Sequence, residues 1–228
     1  MDWYDEIARR NGGYRNNAVF YTEGISAEPI FERRLIEMLP GFDSVLDAGC
    51  GHGDFTLRMA EYTNSLIGFD NSVEMINIAQ RLLTEEQTPN LQFFWSSTKD
   101  KLPFADHQFD LIYDRRGPTS ILNHSRILRP GGTVFGIHSG ALDKVRKRLE
   151  ANGFIHIEIE EFHDAVSYFP DEKEFAKFIS GIPGNPDYTD PKYSEELENK
   201  IKAHVIDGRL GIREYRYIWK ARKSNKAD

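Results

Sequence analysis

The residues best suited to chemistry are crowded into V-L-D-A-G-C-G-H-G at positions 45–53. A buried-type strand is expected over 44–48 with Asp47 near its end. The chain then turns through Gly49, Cys50, Gly51 and Gly53, and a helix is expected from 54 to 62. Glycine turns tightly and lets a ligand approach the main chain with no β-carbon in the way. A helix start adds unpaired N–H groups and a positive dipole end, which suit a carboxylate or phosphate. Asp70 ends the next expected strand, where a carboxylate can accept both hydroxyls of a ribose.

Two ligands compete for such a loop. A dinucleotide site calls for G-x-G-x-x-G, so that a pyrophosphate lies over the helix start. The spacing here is G-x-G-x-G, and Asp47 would repel a pyrophosphate while suiting an ammonium or sulfonium. The charge pattern favours S-adenosylmethionine.

A second group follows the expected fourth strand, in D-R-R-G-P at 114–118. Asp114 is a candidate to bind a ligand ammonium or to act as a base. Arg115 and Arg116 are candidates to grip a carboxylate or phosphate of a substrate. The alternative for the pair is one surface arginine and one paired with Asp114. His138, just beyond the expected fifth strand, is a candidate base, against the plainer role of a solvated or capping histidine. Cys50 reads as a small packed residue rather than a nucleophile, and His52 contributes through its backbone. Tyr14 and Tyr21, with Tyr4, belong to an N-terminal cap, either packed or touching the cofactor carboxylate or substrate. No metal site emerges: there is one cysteine, and no H-x-x-x-H pair among seven histidines.

These residues need elements to hold them, and the chain alternates strand and helix from residue 27 onward. Apolar groups at Ile30, Phe31, Leu35, Ile36 and Leu39 have helical spacing, ended by Pro40-Gly41. Strands are expected over 65–69, 91–95, 109–113 and 133–137. Helices are expected from Asn71, where Glu74 completes a capping-box pattern, over 119–128, stopped by Pro130-Gly131-Gly132, and around Leu142, Val145 and Leu149. Alternation at this spacing predicts a doubly wound α/β sheet that binds ligands at the carboxyl ends of its strands. Ile155, Ile157 and Ile159 alternate with charged or polar residues like an edge strand, and 212–219 reads as a final strand. The fifty residues between, with helices near 171–179 and 194–206 and a Pro/Gly-rich stretch at 180–191, are too long for a simple connection and suggest a lid.

As an ordered set, D-A-G-C-G-H-G-D-F, I-G-F-D-N-S at 67–72, L-P-F-A-D-H-Q-F-D-L-I at 102–112 and I-L-R-P-G-G at 127–132 resemble the motifs of class I S-adenosylmethionine-dependent methyltransferases. The resemblance spans roughly residues 40–140. It implies a mainly parallel seven-stranded sheet of order 3-2-1-4-5-7-6 with the seventh strand antiparallel. It also implies that Asp47, Gly49, Cys50, Gly51 and Gly53 surround the methionine part, that Asp70 holds the ribose and that Asn71 lies beside adenine. Where the family often has an acid after the third strand, this chain has W-S-S-T-K-D, which puts Ser97 or Thr98 against adenine, with Asp100 as an alternative.

Composition bounds the rest. The 228 residues are 39% hydrophobic and 29% charged, enough for one domain with a core and an insert. The expected division is a cap at 1–39, a cofactor-binding core at 40–161, a lid or substrate insert at 162–210, a final strand at 211–222 and a tail at 223–228. A formal charge of −7 favours a small-molecule acceptor over nucleic acid, despite basic runs at 144–148 and 220–226. An RNA base and a non-catalytic cofactor-binding module are the alternatives. The lone cysteine suits a reducing cytoplasm, and the acidic start, Asp2 and the lack of a long apolar run argue against a signal peptide, myristoylation or a membrane span.

Overall fold

Short apolar runs between turns build the sheet that carries the glycine loop. The computed structural model describes residues 3–225, so Met1, Asp2 and the tail from Lys226 lie outside the described residues. The chain forms two compact units: residues 27–161 with 216 onward, and residues up to 26 with 162–215.

The larger unit begins with α1 (Ala27–Met38), which buries Ala27, Phe31 and Leu35 at four-residue spacing. Phe31 stacks on Phe135 of the sheet, with centroids 4.7 Å apart. Then follow β1 (Val45–Ala48), α2 (Asp54–Ala60), β2 (Leu66–Asp70), α3 (Val73–Glu86), β3 (Leu91–Trp95), β4 (Phe109–Arg115), β5 (Leu128–His138), α4 (Leu142–Ala151), β6 (Phe154–Phe162) and β7 (Arg216–Lys223). All four residues of β1 are buried, as expected of a strand covered on both faces.

The sheet order is β3-β2-β1-β4-β5-β7-β6, the order that the family resemblance implied. Strands β1 to β5 pair in parallel, and β7 runs antiparallel to β5, with Trp219 opposite Gly136. The alternating segment forms β6 at the sheet edge. Strand order reverses between β1 and β4, so the glycine loop and the 114–118 turn leave the sheet side by side at the switch point.

Four local expectations are corrected. The cap of α3 is Ser72, whose Oγ accepts from the Met75 N–H at 3.1 Å, and not Asn71. Residues 119–127 form a 3-10 helix broken at His124, whose ring is tied to the Thr98 carbonyl at 3.0 Å. Pro130-Gly131-Gly132 lies inside β5. The β4 register jumps from Phe109–Leu128 to Leu111–Thr133, because a proline without an N–H cannot join the ladder and sits in a bulge. The final strand expected over 212–219 is split at Glu214-Tyr215 between Arg209–Arg213 and β7, which belong to different sheets.

The smaller unit joins the N-terminal segment to the long insert. Its sheet runs in the order Tyr21–Glu23, Val166–Tyr168, Arg209–Arg213, Val205–Ile206, and every pairing is antiparallel. The first part of the expected cap supplies the helix Trp3–Asn11 and one of these strands. Helices Glu172–Ser180 and Ser194–Ala203 match the expected pair. The unit has its own apolar core of Phe169, Phe175, Ala176, Ile179 and Tyr188. Among the described residues no helix is long and apolar enough to cross a membrane.

Candidate cofactor site

The glycine loop is held by the neighbouring strand. The Gly49 and Cys50 N–H groups both donate to the Phe69 carbonyl at 2.9 Å, and the Gly53 N–H donates to the Cys50 carbonyl at 3.2 Å. Gly49 and Gly53 are packing glycines. A Cβ on Gly49 would meet Pro118 Cδ at 2.6 Å, and one on Gly53 would meet Ala79 Cβ at 2.9 Å. Gly51 differs: its φ is +55°, and a Cβ there would meet nothing within 4 Å. The loop thus turns one bare backbone face to open space.

Asp70 grips that loop from the end of β2. One carboxylate oxygen accepts the Gly51 N–H at 3.0 Å and the other accepts the Ser72 N–H at 2.9 Å. The carboxylate thus positions both the loop and the start of α3, and an ionised carboxylate is the acceptor that a pair of hydroxyls calls for. Beside it, the Asn71 carbonyl accepts from the Trp95 indole at 3.0 Å, and Trp95, 57% exposed, stands opposite Asp70 in the ladder. Trp95 is an exposed aromatic beside Asp70 that sequence reasoning missed. An aromatic ending a strand after a core-like alternation was its signal.

Asp47 is buried, and its Oδ2 accepts from Thr56 Oγ1 at 2.7 Å and from the Tyr113 hydroxyl at 2.9 Å. Burial pushes its pKa up to about 7; the two hydroxyl donors pull it down, and nearby Asp114 adds to the rise. Cys50 is buried, and burial first, then Asp47 and Asp70, raise its thiol well above the ordinary value, which suits a packing role. Ser97 Oγ accepts from the Lys99 N–H, and the Thr98 hydroxyl shares a 2.6 Å bond with Ser120, so both are tied into the following loop. Asp100 is exposed in the same turn.

Asp114 and His138 come together, though neither faces solvent. Asp114 is 0% exposed and His138 7%. Asp114 Oδ1 accepts the Gly117 N–H at 2.6 Å, and its Oδ2 lies 3.3 Å from His138 Nε2. Burial lowers the imidazole pKa, but the charge and hydrogen bond of Asp114 outweigh it and leave His138 above its ordinary value. Its burial is at odds with a solvated histidine, and its Nε2 lies 3.1 Å from the Gly117 carbonyl.

Neither arginine pairs with Asp114. Arg115 Nε and Arg116 Nε reach the two oxygens of Glu28 at 3.0 and 3.3 Å, and Arg216 approaches the same carboxylate at 3.6 Å. Burial raises the Glu28 pKa, but the three guanidiniums more than offset this and hold it below the ordinary carboxylate range. Glu28, Tyr113 and Trp219 were missed because their partners lie far away in the sequence, and Thr56 because its partner Asp47 lies across the glycine turn. In the smaller unit, Tyr14 packs edge-on to Trp3 and Tyr4, and the Tyr21 hydroxyl accepts from Arg209 at 3.2 Å. That unit also contains a cavity of about 740 Å³, lined by Arg10, Asn16, Lys173 and Tyr188 among others. Among the described residues no group of three or more His, Cys, Asp or Glu side chains is placed to hold a metal.

Comparison with known proteins settles the family. Residues 42–177, more than half the chain, match the model of a methyltransferase domain. The chain belongs to the class I S-adenosylmethionine-dependent methyltransferases.

This methyltransferase-family chain is 34% identical over 106 residues to a demethylmenaquinone methyltransferase of Lactococcus lactis, covering 42% of each chain. It is 28% identical over 167 residues to the tRNA 5-carboxymethoxyuridine methyltransferase of Escherichia coli, covering 68% of this chain and 63% of the relative. The chain thus aligns with less than two thirds of either relative's length. A functionally unknown protein from Deinococcus radiodurans has the same fold, with a TM-score of 0.71 at 24% identity, covering 96% of this chain and 98% of that one.

Proposed function

We propose that the chain binds S-adenosylmethionine along the glycine loop and transfers its methyl group to a small-molecule acceptor, releasing S-adenosylhomocysteine. The observation that carries this reading is the open backbone face at Gly51, tied to Asp70 and backed by the Asp47 carboxyl. When bound, the cofactor supplies a methyl group on a good leaving group. The residues present fit it. Asp70 receives the ribose hydroxyls, and the Asn71–Trp95 pair supports the adenine, with Ser97 and Thr98 beyond it. Gly49, Cys50, Gly51 and Gly53 shape the methionine channel, and Asp47 supplies negative potential toward its ammonium and sulfonium. Their work is binding and alignment, which can provide much of the rate. Arg115 and Arg116, although held by Glu28, stand at the end of β4 and are assigned to an acidic group on the acceptor. No base is assigned to the transfer.

The smaller unit, with Tyr14, Tyr21 and the polar-lined cavity, is assigned to acceptor recognition. The buried single cysteine fits a cytoplasmic enzyme without a metal. The tRNA-modifying relative makes RNA the second acceptor class. The exposed Lys144, Arg146 and Lys147 on α4 are read instead as a solvated face opposite buried Val145 and Leu149.

Calorimetry with S-adenosylmethionine, S-adenosylhomocysteine and NAD tests the reading. The first two should bind and NAD should not. Micromolar NAD binding without the others would sink it, and tight cofactor binding with no turnover on any acceptor would favour a non-catalytic module.

A further inference from the structure

A chain of buried contacts runs from the last strand to the glycine loop. Trp219 on β7 is 1% exposed and lies opposite Gly136, where any side chain would collide with the indole: a Cβ on Gly136 would stand 2.3 Å from Trp219 Cζ2. The missing side chain lets the indole reach along the sheet, and its N–H donates to His138 Nδ1 at 3.0 Å. The two ring planes are near-parallel, at 14°, with centroids 6.0 Å apart. An indole N–H can only donate, which makes Nδ1 the acceptor and places the ring proton on Nε2.

That Nε2–H faces the Gly117 carbonyl at 3.1 Å and Asp114 Oδ2 at 3.3 Å. Asp114 Oδ1 in turn holds the Gly117 N–H, so both backbone groups of Gly117 are fixed. Between them Arg116 adopts a φ of +63°, a conformation costly for a side-chain-bearing residue, with its N–H held by the Ile137 carbonyl at 3.0 Å. The turn needs such restraint because it rides directly on the glycine loop. A Cβ on Gly117 would stand 2.1 Å from the Ala48 carbonyl oxygen, and Gly117-Pro118 fills the space over Gly49.

We propose that His138, locked as its Nε2–H tautomer by Trp219, is a positioning residue that clamps the Asp114–Gly117 turn against the glycine loop and so sets that loop's shape for its ligand. Neither imidazole nitrogen is left for an acceptor proton, so the base expected at His138 is replaced by a structural donor. The inference rests on the reading of the glycine loop as the cofactor cradle.

Nitrogen NMR of the histidine-labelled protein, above the imidazole's titration range, reads the tautomer directly. His138 should show a proton on Nε2 and a bare Nδ1. Trp219→Phe, which keeps a ring but removes the donor, should leave Nε2 protonated toward the Gly117 and Asp114 acceptors and free Nδ1 to take up a proton as well. It should also weaken S-adenosylhomocysteine about tenfold, the loss expected for one buried hydrogen bond. His138→Leu should weaken it at least as much. His138→Gln, whose amide can donate to the Gly117 carbonyl and accept from the indole, should restore most of the affinity. A proton on Nδ1 in the wild type would overturn the proposal, as would wild-type affinity in His138→Leu or failure of His138→Gln to rescue. Should His138→Leu not fold, Trp219→Phe and His138→Gln still decide. If the wild-type protein binds no S-adenosylhomocysteine, the cofactor reading fails, while the tautomer result still tests the clamp.

Discussion

The Tyr113 hydroxyl donates to Asp47 Oδ2 at 2.9 Å in a place where Tyr113 is 0% exposed and Asp47 2%. Thr56 completes the pair of donors, and the carboxyl still titrates near 7 because burial outweighs both. The folded protein therefore holds a proton that the unfolded chain releases from about pH 4 upward. The stability contributed by Asp47 is full below about pH 4 and falls as pH rises to about 7, by at most about 1.4 kcal/mol per pH unit. This is the reverse of a salt-bridged aspartate. Asp47→Asn should remove that slope in urea unfolding measured between about pH 5 and pH 8. In the unsubstituted protein, affinity for the cationic cofactor should rise through pH 7 as Asp47 ionises; an identical pH profile in Asp47→Asn would refute the assignment.

The three loop glycines should separate fold from binding. Gly49→Ala and Gly53→Ala put a Cβ into Pro118 and Ala79, and should cost more than about 2 kcal/mol of stability. Gly51→Ala enters open space in the left-handed region and should cost about 1 kcal/mol. Its loss of S-adenosylhomocysteine affinity should nonetheless be the largest relative to its stability change, because the methyl group occupies the ligand's approach. Thermal melts and calorimetry on the same three variants check this. Undiminished binding by Gly51→Ala would show that the ligand passes elsewhere.

Asp70→Ala should weaken the cofactor by about 2–4 kcal/mol through lost charge-assisted hydrogen bonds. Because Asp70 also carries the Gly51 and Ser72 N–H groups, Asp70→Asn is the better discriminator. It keeps the side chain's size and one acceptor oxygen, so one of the two backbone N–H groups stays held, but it loses the carboxylate's paired acceptance. An unchanged dissociation constant in both variants would remove Asp70 from the ribose site.

Hydrogen exchange tests the smaller unit. If it recognises the acceptor and closes as a lid, protection in 1–24 and 162–210 should rise together when S-adenosylhomocysteine and acceptor are added, independent of protein concentration. Protection that follows concentration and ignores ligand would make the insert an interface between copies.

Much of the architecture was legible because it follows from local pattern. Each core strand is a short apolar run, each helix repeats its apolar groups at three- and four-residue spacing, and Gly51 and Asp70 stand at strand ends where turn chemistry leaves few choices. Where two residues satisfied the same local rule, the chain alone could not choose. Asn71 and Ser72 both suit a helix start, and the hydroxyl of Ser72 took the cap because Asp70 already held the Ser72 N–H. The split at Glu214 was hidden in a stretch that places Tyr215, Tyr217 and Trp219 at strand-like alternate positions. What ends the strand there is distant: the Ala165 carbonyl takes the Glu214 N–H at 2.7 Å and Ser26 binds its carboxylate.

The sequence by itself determined the core strands and helices, the glycine loop and the place of Asp70 at a strand end, since these depend on residues near one another in the chain; the strand order came through the family resemblance. Tertiary structure alone decided the ionisation of Asp47, the pairing of Arg115 and Arg116 with Glu28, and the burial of Asp114 and His138. Electrostatic partners and the solvent's access to a charge are set by which strands lie side by side. A periodicity of two or of 3.6 residues carries no information about a partner 66 or 87 residues away, as Tyr113 is from Asp47 and Arg115 from Glu28.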